Sequence, residues 1–174
     1  MRRLSILLAV AIGALGCATL GTGVSSAVRD ELRRETLAHH VSSRGVGGWF
    51  SVVAGIDWDK REFVDLPPHD LLYVLHRCPM EVKHNYFVPV EYLRLPKEDE
   101  RDPTSGGLRG IEDTRTGFRV YVLYISKIEK KRDGTYEVHY VNYNGPLAAG
   151  GGSYFVTRIG KGWSFKRSDH GWIS

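Results

Sequence analysis

Disulfide chemistry has almost nothing to work with in this chain. Cys17 and Cys78 are the only cysteines in 174 residues, and Cys17 lies in an uncharged N-terminal segment whose cleavage would remove or acylate it, and which as an uncut anchor would hold it away from Cys78. Cys78 then has no intramolecular partner, so a disulfide framework is not expected even in a compartment that permits one. A lone cysteine of this kind is more often a small buried hydrophobe than a reactive thiol. Catalytic and cofactor signatures are missing too. No Gly-x-Ser-x-Gly elbow occurs. The run Leu147 to Gly152 lacks the Gly-Lys-Ser/Thr ending and the following helix of a phosphate loop, so it reads as a strand connection. The seven histidines show no zinc spacing. His39 and His40 are adjacent and should point to different helix faces, while His69, His76 and His84 are too far apart for a local chelate. No metal, cofactor or internal repeat is expected.

Charge of one sign is also lacking. Without residues 1–27 the chain has 147 residues, with 22 basic and 20 acidic side chains, a net charge of +2. The two signs interleave, as in Lys127-Ile128-Glu129-Lys130-Lys131-Arg132-Asp133, which suits a solvated hairpin tip. A nucleic-acid binder should carry a concentrated basic patch, so nucleic acid is not an expected partner.

What the chain does have is an address. Arg2 and Arg3 precede an uncharged stretch that lasts until Arg29, beginning with the apolar run Leu4 to Leu15. A basic head, a short apolar segment and a small-residue exit form the pattern of an export signal. Three fates fit it. A peptidase could cut after Gly16-Cys17-Ala18 or Ser25-Ser26-Ala27. Ala14-Leu15-Gly16-Cys17 could serve as a lipoprotein signal with Cys17 lipidated, although Leu15 stands one place closer to the cysteine than usual. Or Leu4 to Val24 could remain as an uncut anchor of 21 uncharged residues. Residues 1–27 are therefore set apart as signal peptide, lipoprotein signal or anchor, and 28–174 as one domain, the size that supports a hydrophobic core without staples.

Within that domain, residues 28–45 read as a helix or linker. Ser26 is placed to cap Val28 to Val41, Asp30 and Glu31 fall in its first turn, and Gly45 lies past its end. Val28, Leu32, Ala38 and Val41 make a thin apolar stripe. Residues 46–174 should hold the sheet. Trp49 to Ala54 has the content of a buried strand. Pro68 to His76 suits a short helix with proline in its first turn and Leu71, Leu72 and Leu75 on one face. Pro89 makes Tyr86 to Leu93 an edge or irregular strand. Pro96 to Gly107 is a surface loop. Then come Phe118 to Ile125, a turn at Arg132-Asp133-Gly134, Thr135 to Tyr143, Ser153 to Ile159, a turn at Gly160-Lys161-Gly162, and Trp163 to Lys166. The class is α+β: two helices on an antiparallel meander of about four to six strands. The apolar ending Trp172-Ile173-Ser174 should close the sheet, with Trp172 under the helices or beside Trp163. Deleting it should then destabilise the whole fold.

For function, aromatic rings are the most suggestive feature. Tyr121, Tyr140, Tyr154, Trp163 and Trp172 fall on or beside the strands and could form a binding surface, although cross-strand packing is the first duty of such rings. Cys78 with His76 or His139, or Asp169-His170, are the available catalytic pairings, and none is marked by a motif. Pro68 to Leu75, Asp113-Thr114-Arg115-Thr116-Gly117, Tyr143 to Gly151 and the ending Gly162-Trp163…Trp172-Ile173-Ser174 together resemble a group of short, uncharacterised exported bacterial proteins. The resemblance covers about the last 110 residues and implies a secreted or membrane-attached α+β domain, with no catalytic residue to carry over. The expected protein is a non-enzymatic envelope component, membrane-attached by lipid or anchor, that binds a protein or small ligand. The alternative is a small periplasmic hydrolase using His and Asp, or Cys78, in a cleft between helices and sheet.

Overall fold

The computed structural model describes residues 23–44, 48–78, 87–97, 99–102, 106, 109–145 and 149–173. Cys17 and the export segment up to residue 22 lie outside these ranges, as do Pro79, His84, Tyr86, Pro146 to Ala148 and Ser174. Among the described residues two α-helices, α1 (Ser26–Arg44) and α2 (Pro68–Arg77), accompany nine strands: β1 (Trp49–Val52), β2 (Gly55–Asp57), β3 (Glu62–Val64), β4 (Leu93–Arg94), β5 (Glu112–Asp113), β6 (Val120–Lys130), β7 (Tyr136–Tyr143), β8 (Ala149–Ile159) and β9 (Gly162–Ile173). The class is α+β. The main sheet runs β1-β6-β7-β8-β9, and β2-β3 and β4-β5 are small separate ladders. β6 to β9 form the antiparallel meander, closed by Gly134 at φ 85° and Gly160 at φ 58° in the two turns. β1 joins β6 in parallel, from Trp49↔Val120 to Val52↔Leu123. A parallel neighbour needs a long crossover, and the 67 residues that separate β1 from β6 supply one.

α1 begins two residues earlier than its sequence suggests. Ser25, rather than Ser26, caps it: the Ser25 hydroxyl accepts the Val28 N–H at 3.4 Å. Asp30 and Glu31 thus fall beyond the first turn and reach sideways, Asp30 to Arg33 at 3.3 Å and Glu31 to Arg158 on β8 at 3.2 Å. The buried stripe of α1 is wider than its aliphatic residues alone. Leu32, Leu37, Ala38 and Val41 are joined by Thr36 and His40. His40 is tolerated inside because its Nδ1 lies 3.1 Å from the Tyr154 hydroxyl. His39 also faces the sheet, stacked on Phe165 with centroids 4.3 Å apart. The adjacent histidines therefore share the sheet-facing side instead of pointing to different faces.

α2 packs beside α1 through polar contacts. Tyr73 donates its hydroxyl to Glu35. Burial first, then the Glu35 carboxylate, pushes the Tyr73 pKa up to about 12. Asp70, buried at the base of α2, lies 3.4 Å from the Arg34 guanidinium, and Arg77 stacks 3.8 Å over the Tyr73 ring.

Residues i and i+2 share a sheet face, so the register sorts the core into two. On the α1 side lie Phe50, Val52, Leu123, Ile125, Val138, Tyr140, Tyr154 and Val156. A smaller cluster of Val53, Val88, Ile111, Val120 and Val122 covers the opposite face at the β1 end. It is held by the segment after Phe87, which pairs with Phe50, and by the tight turn Asp113 to Gly117, in which buried Asp113 takes Arg115 at 2.9 and 3.0 Å.

Candidate functional site

The open half of the face away from α1 is built by the hairpin β6–β7 and the two strands that follow. A row of directly opposed residues leads into it from the smaller core cluster: Tyr124, packed on that cluster, opposite the buried Val141, Val141 opposite Gly151, Gly151 opposite Trp172. Gly151 is small for a reason. A Cβ there would sit 2.8 Å from Trp172 Nε1 and 2.5 Å from the Tyr140 carbonyl oxygen. Gly152 does the same on the other face, where a Cβ would sit 2.9 Å from the Tyr140 hydroxyl. The Gly150-Gly151-Gly152 run is thus strand, not connection, and two of its glycines make room for rings. Trp172 remains 47% exposed, and Phe155 on the same face is also exposed.

The adjoining rows are charged. Lys127 stands opposite His139, which stands opposite Ser153; Glu129 stands opposite Glu137, which stands opposite Phe155. His139 Nε2 lies 3.6 Å from one oxygen of each carboxylate and is itself shielded from solvent without a hydrogen bond. The three side chains bring one donor atom each within 4.8 Å of one another, looser than the roughly 3.3–3.6 Å between neighbouring ligands of a tetrahedral zinc. Lysines already hold the acids. Lys127 bonds Glu129 at 2.9 Å and keeps its pKa below the usual carboxylate range. Lys131 bonds Glu137, with the Ser153 hydroxyl donating at 2.9 Å, and both hold the Glu137 pKa down. A cation entering here would have to displace ammonium groups. Among the described residues the two carboxylates are already neutralised by lysines. Sequence reading missed it, although a hairpin centred on Gly134 places positions 129, 137 and 139 on one face by alternation alone.

The expected site residues divide between the two faces. Tyr140 and Tyr154 are 2% and 3% exposed, packed under α1, and so present no surface. Trp163 faces α1 as well, its indole N–H donating to Glu31 at 3.0 Å and its ring edge-on to Tyr136. Tyr121 is exposed on the α1 side at the far end of β6, across from Phe50. Only Trp172 belongs to the open face, so the five rings do not form one patch. Trp172 also lies neither beneath the helices nor beside Trp163, and Ile173 beyond it is 93% exposed. The apolar end completes an edge strand instead of closing a core.

The catalytic pairings come apart in the same way. Cys78 is buried on the α1 side of the sheet with its thiol directed to the Val74 carbonyl, whereas His139 projects from the opposite face. His76 is exposed on α2. His170 is exposed on β9, where its backbone N–H donates to Ser168. The space between α1 and the sheet, where a helix–sheet cleft was expected, is filled by Leu32, Leu37, Val41, Tyr140 and Tyr154. Open hollows lie elsewhere: one of about 780 Å³ on the outer side of α2, lined by His69, Leu72 and His76, and one of about 330 Å³ between the start of α1 and β6. Comparison with protein-family models, with curated proteins and with solved structures gives no match in any of the three.

Proposed function

We propose that this chain is a non-enzymatic, membrane-attached protein of the bacterial cell envelope that binds a small ligand or another protein through the open face of its sheet. The observation that carries the reading is the asymmetry of that sheet. α1 covers one face, while the other presents the half-exposed Trp172 ring, seated on Gly151, beside an ordered charged row. An indole held in place on a rigid strand offers contact area at little entropic cost, next to groups that can fix orientation. The separation of Cys78 from His139 by the sheet supports binding over catalysis. The address rests on the basic head and apolar run of residues 2–15, and the resemblance to exported bacterial proteins points the same way. Among the described residues no helix is long and apolar enough to cross a membrane, so attachment falls to the N-terminal segment.

Two measurements test this. An epitope-tagged chain should fractionate with the envelope, and mass spectrometry of the mature N-terminus should identify a lipidated Cys17 or a retained segment. Recovery of the full-length chain in the soluble cytoplasm defeats the address. For binding, a thermal-shift screen of envelope metabolites and cell-wall fragments should yield a compound that stabilises the wild type and not Trp172→Ala. Turnover of an ester or amide substrate that disappears in Cys78→Ala or His139→Ala would replace the binding reading with the hydrolase.

A further inference from the structure

α1 starts at the end of the sheet formed by the β6–β7 and β8–β9 turns: Glu31, near its beginning, bonds Arg158 and Trp163 at that end. Residues 23–25, which lead into α1, therefore lie at that end. Four cations are exposed on this end and form no ion pair among the described residues: Arg29 on α1, Lys130 and Arg132 at the first turn, and Lys161 at the second. Between the last two strands' ends, Ile159 projects 65% exposed. Arg29 and Arg33 also line the 330 Å³ hollow against Ser126 and Lys127, where β6 bulges. The acids of this end are paired with other cations, Asp30 with Arg33, Glu31 with Arg158, Glu129 with Lys127 and Glu137 with Lys131, and set against the exposed Asp133 of the first turn the four cations leave a surplus of three positive charges on a domain whose mature net charge is +2.

We propose that this end is a docking surface for anionic lipid headgroups, holding the domain upright on the membrane with α1 and the strands rising from it. The inference rests on the membrane attachment proposed above. The apolar run Leu4 to Leu15 is joined to α1 by the ten uncharged residues Gly16 to Ser25, so attachment through it reaches the domain at this end. Unpaired cations around one exposed aliphatic side chain match the chemistry of an anionic interface, where each Lys or Arg near the surface strengthens attachment by roughly fivefold. Docking in this pose leaves the Trp172 face at the side of the upright domain, open to a partner.

The test uses the full-length chain reconstituted in vesicles of phosphatidylcholine alone or of phosphatidylcholine with phosphatidylglycerol. Reaction of lysines with a water-soluble acylating reagent is mapped by mass spectrometry, with Lys166, exposed in the middle of β9, as the internal reference. On phosphatidylglycerol vesicles Lys130 and Lys161 should react roughly tenfold more slowly than Lys166, and high salt should abolish the difference. The double variant Arg132→Glu, Ile159→Asp should keep its thermal midpoint and lose the protection. Equal reactivity on both vesicles, with the chain still floating with the lipid, overturns docking and leaves the attachment standing. Protection that appears only on adding an acidic polypeptide assigns the surface to a protein and also overturns it. A chain that floats with neither vesicle overturns the attachment, and docking with it.

Discussion

Two glycines in β8 decide where two aromatic rings sit. Gly151 admits Trp172 on one face and Gly152 admits Tyr140 on the other, while a Cβ on the neighbouring Gly150 would meet only the Trp172 carbonyl oxygen at 3.4 Å. Gly151→Ala forces its methyl against a backbone carbonyl that cannot swing away. It is expected to cost about 1–3 kcal/mol, the range for overpacking a fitted site. Gly150→Ala, at ordinary contact distance, should leave stability nearly unchanged. Chemical denaturation of the two variants checks the contrast, and equal midpoints would mean that β8 relaxes around the added methyl. The sequence suggested a flexible run because glycine is the residue of loops. That its role here is to leave space cannot be read from the strand itself, since the rings it accommodates come from β7 and β9.

The interface of α1 with the sheet is where protonation meets packing. His39 is stacked on Phe165 and edge-on to Tyr154, and burial pulls its pKa below 6.5. Well above pH 6.5 both folded and unfolded chains hold it neutral, and its packing contributes in full. As the pH falls below that value the unfolded chain takes up the proton first, so stability is lost until the lowered folded pKa is passed. The thermal midpoint of the wild type should therefore drop more steeply between about pH 7 and pH 5 than that of His39→Phe. Parallel curves would show that His39 protonates in place without loss. The element was legible as a helix from its apolar spacing and a serine near its start, although Ser25 and not Ser26 caps it. Its buried width was not, because His39 and His40 count as polar in any periodicity argument. They become core only when Tyr154 and Phe165 stand opposite them.

At the scale of the molecule, the sheet is packed along one side by the helices and on the other only at its β1 end, and its two edges differ. β9 ends the meander as a long edge strand whose last residues carry Trp172 and Ile173. The apolar ending led to the expectation that deleting residues 172–174 would destabilise the whole fold. With Ile173 in solvent and Trp172 half-buried outside the main core, the deletion should instead cost about 1 kcal/mol of apolar burial. That lowers the midpoint by about 2–4 °C for a domain of this length. A calorimetric scan of the truncated chain measures it, and a collapse of the transition would restore a closing role for the terminus.

The amino-acid sequence by itself determined the α+β class, the two helices and the meander, down to the turns at Gly134 and Gly160, because these rest on local signals: capping, alternation and positive-φ glycine. The parallel pairing of β1, the fate of each tyrosine and tryptophan, and the assembly of Glu129, Glu137 and His139 were decided only in three dimensions. Which of its two faces a strand buries depends on where a distant helix lies. α1 covers the side that holds Tyr140 and Tyr154, and leaves Trp172 and His139 on the other. Alternation says which residues share a face, and only the packing of α1 says which face meets the solvent.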